Sequence, residues 1–138
     1  MFSPGKAYPE HYKTQLQEKV DRIKHDFAAF DLPEVSVFES PPSHYRFRAE
    51  FKIWKQQGRA SYVMFDPKAP KDPIEITEFS IGSKIINALM GPLLEEINQN
   101  EILRERLFQV EFLSATTGEI LTTLIYHRPL DNTWQECA

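Results

Sequence analysis

Apolar residues at Tyr12, Leu16, Val20, Ile23, Phe27 and Phe30 follow one another at steps of three and four. That is the period of a helix with a single buried stripe. Pro9 suits its first turn, and Leu32-Pro33 lies just past its end. From Tyr45 the period changes to two. Tyr45, Phe47, Ala49, Phe51 and Ile53 share one face, while Arg46, Arg48, Glu50, Lys52 and Trp54 share the other. This predicts a half-buried strand with a charged outer face. Residues 55–59 read as a hairpin loop and residues 60–65 as the returning strand.

A loop bearing Pro67, Pro70 and Pro73 follows, and then a short strand over residues 74–79. Ser80 or Ser83 is placed to cap a second helix whose stripe is Ile81, Ile85, Leu89, Leu93 and Ile97. Gly91-Pro92 is expected to kink or split that helix. After a break at residues 98–100 and a helical turn through Leu107, strands over residues 108–116 and 119–128 flank a Thr117-Gly118 turn. Ile120, Leu121, Leu124 and Ile125 occupy both faces of the last strand, as in a central strand. Asp131 is placed to cap a final helix carrying Trp134. The order predicts a single α+β domain over residues 1–138, an antiparallel sheet with helices packed mainly on one face.

Composition narrows the classes. With 41% hydrophobic residues, and with ten Phe, five Tyr and two Trp, the chain has ample apolar surface for one core. No apolar run approaches the roughly 20 residues that cross a bilayer. The first ten residues lack the hydrophobic stretch of a signal peptide. The single cysteine, Cys137, allows neither an internal disulfide nor a cysteine metal cluster. These features predict a cytoplasmic protein.

The formal net charge of -4 argues on average against a nucleic-acid partner, but the local distribution reverses it. Arg46, Arg48, Lys52, Lys55 and Arg59 stand against Glu50 alone, a local net of +4 that leaves -8 for the rest of the chain. Alternate strand residues stand about 6.5–7 Å apart. Arg46, Arg48 and Lys52 would therefore make a linear cationic row ending at Trp54. Phosphates accept such rows and an adjacent aromatic can stack on an unpaired base. A solvated sheet face that keeps an edge soluble would show the same pattern. His44, at the start of this strand, could cap it or contact phosphate. His127, at the end of an apolar strand, also suits an ordinary hydrogen-bonded role. No two of the four histidines, and no histidine with Cys137, have metal-ligand spacing, so no metal site is expected. Nucleophile elbows, P-loops and dinucleotide fingerprints are absent, so the chain alone shows no catalytic machinery.

The run Ser43-His44-Tyr45-Arg46-Phe47-Arg48-Ala49-Glu50-Phe51-Lys52-Ile53-Trp54 resembles the N-terminal part of bacterial tRNA (uracil-5-)-methyltransferases. The likeness continues through Met64-Phe65-Asp66, Ile85-Ile86-Asn87-Ala88-Leu89-Met90, residues 103–110, Leu124-Ile125-Tyr126-His127 and Leu130-Asp131-Asn132-Thr133-Trp134. It implies an RNA-binding N-terminal domain of a larger enzyme that forms ribothymidine in the T loop of tRNA. An S-adenosylmethionine-binding catalytic domain, with the cysteine nucleophile and a glutamate base, would follow in the same polypeptide. Cys137 does not match that nucleophile's context. The family's thiolate adds at uracil C6 and makes C5 nucleophilic, and the target base must first leave the loop's stack. On this resemblance Arg46, Arg48 and Lys52 face the RNA of the T-arm; His44 and Trp54 join them as RNA-binding candidates from the strand pattern alone. Phe108 and His127 pack on loop bases or line the mouth of the base pocket. A stand-alone module docking RNA or protein on the same basic-aromatic face is the alternative.

Overall fold

The computed structural model describes residues 3–138. A 3-10 turn (Pro9–His11) leads into α1 (Tyr12–Asp26). There follow β1 (Arg48–Gln56), β2 (Arg59–Asp66), β3 (Ala69–Glu75), α2 (Lys84–Gln99), α3 (Glu101–Arg104), β4 (Leu107–Ser114), β5 (Ile120–Tyr126) and α4 (Asn132–Cys137). The strands form one antiparallel sheet in the order β3-β2-β1-β4-β5, so the α+β expectation holds. No helix among the described residues is long and apolar enough to cross a membrane.

Alternation along β1 sets the two faces of the sheet. Ala49 and Phe51 are buried, with Phe112 and Val110 of β4 as their cross-strand partners. Gln57 and Gly58 both take positive φ (52° and 77°), the two-residue turn whose twist matches a β1–β2 hairpin. The core centres on Phe51, which meets the rings of Tyr62, Phe79 and Phe112 at centroid distances of 5.1–6.2 Å.

Helix α2 lies on this face, with Ser83 rather than Ser80 as its cap. Its buried residues are Ile86, Met90 and Ile97, one position on from much of the expected stripe; Leu89 and Leu93 pack at its flank. The helix runs unbroken through Pro92. Ala88, whose carbonyl loses its partner at Pro92, is exposed along with Gly91 and Pro92, so water can satisfy the freed group. Asn98 ties the helix end to β2 through two bonds to Ala60, N–H to Oδ1 at 2.8 Å and Nδ2 to the carbonyl at 3.0 Å. Asn98→Ala would strand both backbone groups beside a buried residue. We expect it to lower the unfolding free energy by about 1–3 kcal/mol, read from the shift in a urea midpoint.

Besides the uninterrupted α2, four expectations are corrected. The third strand spans Ala69–Glu75 and includes Pro70 and Pro73, which had read as loop; as an edge strand it tolerates residues that donate no ladder bond. The strand β5 lies at the opposite edge and not in the centre, and its Leu121 is 62% exposed. The α1 stripe is not buried. Tyr12, Leu16 and Val20 are half-buried, Ile23 and Phe27 are exposed, and Phe30 lies beyond the helix end. The segment after α1 folds back along it, with Lys13 Nζ at 2.6 Å from Glu39 Oε2. Tyr45 and Phe47, expected on the buried face of β1, precede the strand and are exposed.

Candidate functional site

The face of the sheet opposite α2 carries Arg48, Glu50, Lys52 and Trp54 on β1. Cross-strand pairing sets Leu113, Glu111 and Gln109 of β4 beside the first three. At Leu107–Gln109 the β4–β5 register slips, and Phe108 is the extra residue. Such a bulge re-aims a side chain out of the alternation, and here it brings Phe108 to Lys52 and His127. The His127 ring stacks on Phe108 at 4.0 Å between centroids with 21° between planes. Lys52 Nζ stands 3.8 Å from the same centroid. Phe108 thus contacts both the His127 ring and the Lys52 ammonium. His127 is exposed, so its ring is open to a further ring from solvent.

Hydrogen bonds fix the arrangement. Lys52 Nζ donates to Gln109 Oε1 at 2.7 Å, and Gln109 Nε2 donates to Glu111 Oε1 at 2.7 Å. The His127 N–H donates to the Arg106 carbonyl at 2.9 Å. Arg106 takes a φ of 55°, an uncommon conformation for a residue with a side chain. Arg128 braces the turn leading into Arg106. Its Nε and Nη2 donate to the carbonyls of Glu105 (3.0 Å) and Ile102 (2.7 Å). Trp54 meets Phe65 edge-on at 6.3 Å. Trp54, Lys55, Arg106, Phe108 and His127 together line a shallow cleft of about 320 Å³ at this end of the sheet.

The expected cationic row is interrupted. Arg46 precedes β1 and bridges Gly82. Arg48 lies on the open face, but its guanidinium is 3.6 Å from Glu50, and Glu50 faces Glu111 across the ladder. Arg46 and Arg48 line a separate groove with Ala49, Met64 and Phe79. His44 takes a φ of 55° and its Nδ1 lies 2.8 Å from the Gly82 carbonyl, so it anchors the segment entering β1 to the turn before α2. Lys52, Trp54, Phe108 and His127 thus share one end of the face, while His44, Arg46 and Arg48 lie toward the other.

Two further cations stand at the cleft: Arg106, which was not singled out from the sequence, and Lys55, which entered only in the charge count of the basic run. Partial burial pushes the Lys55 ammonium below the ordinary lysine range, with Arg104 and Arg106 adding to the shift and Glu105 opposing it. Arg104 is engaged by helix carbonyls, with Nη1 2.6 Å from that of Asn98. The signal lay in the basic residues just before Phe108, but only the turn shows which of them is held by carbonyls. Among the described residues no group of three or more His, Cys, Asp or Glu side chains could hold a metal ion.

The family profile described as tRNA (Uracil-5-)-methyltransferase matches residues 11–138. A Cellvibrio japonicus protein named tRNA/tmRNA (uracil-C(5))-methyltransferase is 51% identical over 127 residues, 92% of this chain and 34% of the relative. Proteins of the same name from Aromatoleum aromaticum (49% identity, 94% and 35%) and Saccharophagus degradans (51%, 95% and 36%) are similar to nearly the same extent. The chain spans about a third of the length of the curated relatives it matches.

Proposed function

The chain belongs to the tRNA (uracil-5-)-methyltransferase family, and on that premise we propose that it is the tRNA-binding domain of such an enzyme. The observation that carries this reading is the Lys52–Phe108–His127 stack, a cation and two rings held on an uncovered sheet face. An aromatic surface of this kind receives an unstacked base without reading its identity, and nearby cations hold its phosphates. Trp54 extends the platform, and Arg46 and Arg48 add charge along the face. His44 holds the entry to β1 in place.

The substrate in this proposal is the T-arm of tRNA, whose target uridine is methylated at C5. Extrusion of that base costs a few kcal/mol of stacking, which contacts on this face would offset. S-adenosylmethionine, which supplies the methyl group, does not fit the described residues. Their sheet is antiparallel throughout, whereas a Rossmann-type site cradles its ligand between a parallel strand and the helix that follows. We assign the cofactor and the catalytic residues to the part of the family's length that this chain does not span. That part would dock on exposed apolar residues at and just beyond the end of α1, Ile23, Phe27 and Phe30, of which Phe27 and Phe30 are in ring contact.

The test is binding of a labelled T-arm hairpin by fluorescence anisotropy across a salt series. Specific binding is expected, with the logarithm of the affinity falling by about 0.7–0.9 per neutralised phosphate per decade of salt. Equal affinity for a hairpin with a shuffled loop would overturn the substrate assignment. Lys52→Glu should weaken binding at least 10-fold, because it reverses the charge that sits over the Phe108 ring.

A further inference from the structure

We propose that Lys55 and Arg106 form a phosphate-binding pair for the RNA backbone, set in the cleft beside the Phe108–His127 stack. The inference rests on the RNA-binding reading above and deepens it with two residues outside the expected basic row. Three observations carry it.

The first is placement. Both residues line the same cleft as Trp54, Phe108 and His127, at the end of β1 where the chain enters β4. A nucleotide's phosphates lie to one side of its base, so cations at the edge of a stacking platform are where a backbone would run. Lys52, by contrast, sits over the Phe108 ring and is hydrogen-bonded to Gln109.

The second is availability. Among the described residues neither Lys55 nor Arg106 has a carboxylate within 4.0 Å, whereas Arg48 has Glu50 at 3.6 Å. Neighbouring Arg104 and Arg128 are occupied by backbone carbonyls. They hold the turn and leave Arg106 for a ligand.

The third is the backbone. Arg106 is held at a positive φ by its own carbonyl bond to the His127 N–H, with Arg128 bracing the residues before it. That bond couples the position of the Arg106 side chain to the ring that would stack on the base. Uncommon backbone conformations of this kind persist where the surroundings over-determine them, and they concentrate at ligand sites.

The experiment measures T-arm hairpin affinity for the 138-residue chain against salt concentration, for the wild type, Lys55→Gln/Arg106→Gln and Arg46→Gln/Arg48→Gln. The Lys55/Arg106 pair is expected to lower affinity about 10-fold or more near 0.1 M salt. It should also reduce the slope by about 0.7–0.9 for each phosphate no longer neutralised. The Arg46/Arg48 pair should reduce the slope less. A wild-type slope in the Lys55/Arg106 variant, or the reverse order of the two pairs, would overturn this proposal while leaving RNA binding intact. Absence of any binding by the wild type would overturn the RNA-binding reading itself. Circular dichroism checks the fold, and if the double variant is unfolded, Lys55→Gln alone, at an exposed position near the end of β1, should still remove about half of the slope change.

Discussion

Phe51→Ala is expected to lower the unfolding free energy by about 3–5 kcal/mol, enough to leave most of the chain unfolded at 37 °C if total stability lies near the low end of about 5–15 kcal/mol. Phe51 is 1% exposed and stands on the central strand. Its ring meets Phe79 edge-on at 5.1 Å and Tyr62 at 5.3 Å, and Phe112 lies at 6.2 Å. Removing it opens a cavity bounded by β2, by β4 and by the turn before α2, which cannot collapse together because each is fixed from another side. Tyr62 is pinned by a bond from its hydroxyl to the Met90 carbonyl at 2.9 Å. Phe79 is held through two bonds between its backbone and the Asn87 side chain. Phe51→Leu keeps much of the volume and should cost less. Urea unfolding followed by tryptophan fluorescence separates the two variants. Equal midpoints for Phe51→Ala and the wild type would mean that the core relaxes around the loss.

The second large effect concerns RNA. His127→Ala is expected to weaken T-arm hairpin binding by about 1–3 kcal/mol, or roughly 5- to 150-fold, without moving the urea midpoint by more than a few tenths of a molar. His127 is exposed and its ring touches Phe108 rather than the core, so truncation removes a stacking surface and no buried packing. His127→Phe should retain most of the affinity, because a base stacks on either ring. Phe108→Ala should fall at least as far, since it removes the support of His127 and the ring beneath Lys52 together. If His127→Ala bound the hairpin as well as the wild type, the stack would be a structural feature only.

Several features were legible because they depend on near neighbours in the chain. The alternation of Ala49, Phe51 and Ile53 with Glu50, Lys52 and Trp54 identified a half-buried strand. Residues 55–59 and Thr117-Gly118 marked hairpin turns, and Asp131 capped α4 through a bond from the Trp134 N–H to its Oδ1 at 2.9 Å. Lys52 and Trp54 could be named as RNA-contacting candidates from the strand pattern, and Phe108 and His127 from family resemblance, and the structure brings them to one end of the open face. The rest was not legible. The row of Arg46, Arg48 and Lys52 assumed one unbroken strand, but Arg46 is drawn to Gly82 by the turn before α2, and Glu50 and Glu111 meet only because β4 pairs with β1.

By itself, then, the sequence determined the element types, the two faces of β1, the antiparallel α+β class and the family. All of these follow from local periodicity, turn chemistry and residue order. Tertiary structure alone decided that β5 is an edge, that the apolar stripe of α1 stays largely uncovered, and that Lys55 and Arg106 share a cleft with His127. The physical reason is that these outcomes come from pairing between distant strands. A one-residue slip at Phe108 turns a ring from one face to the other, and no pattern within a single strand encodes which neighbour it will meet.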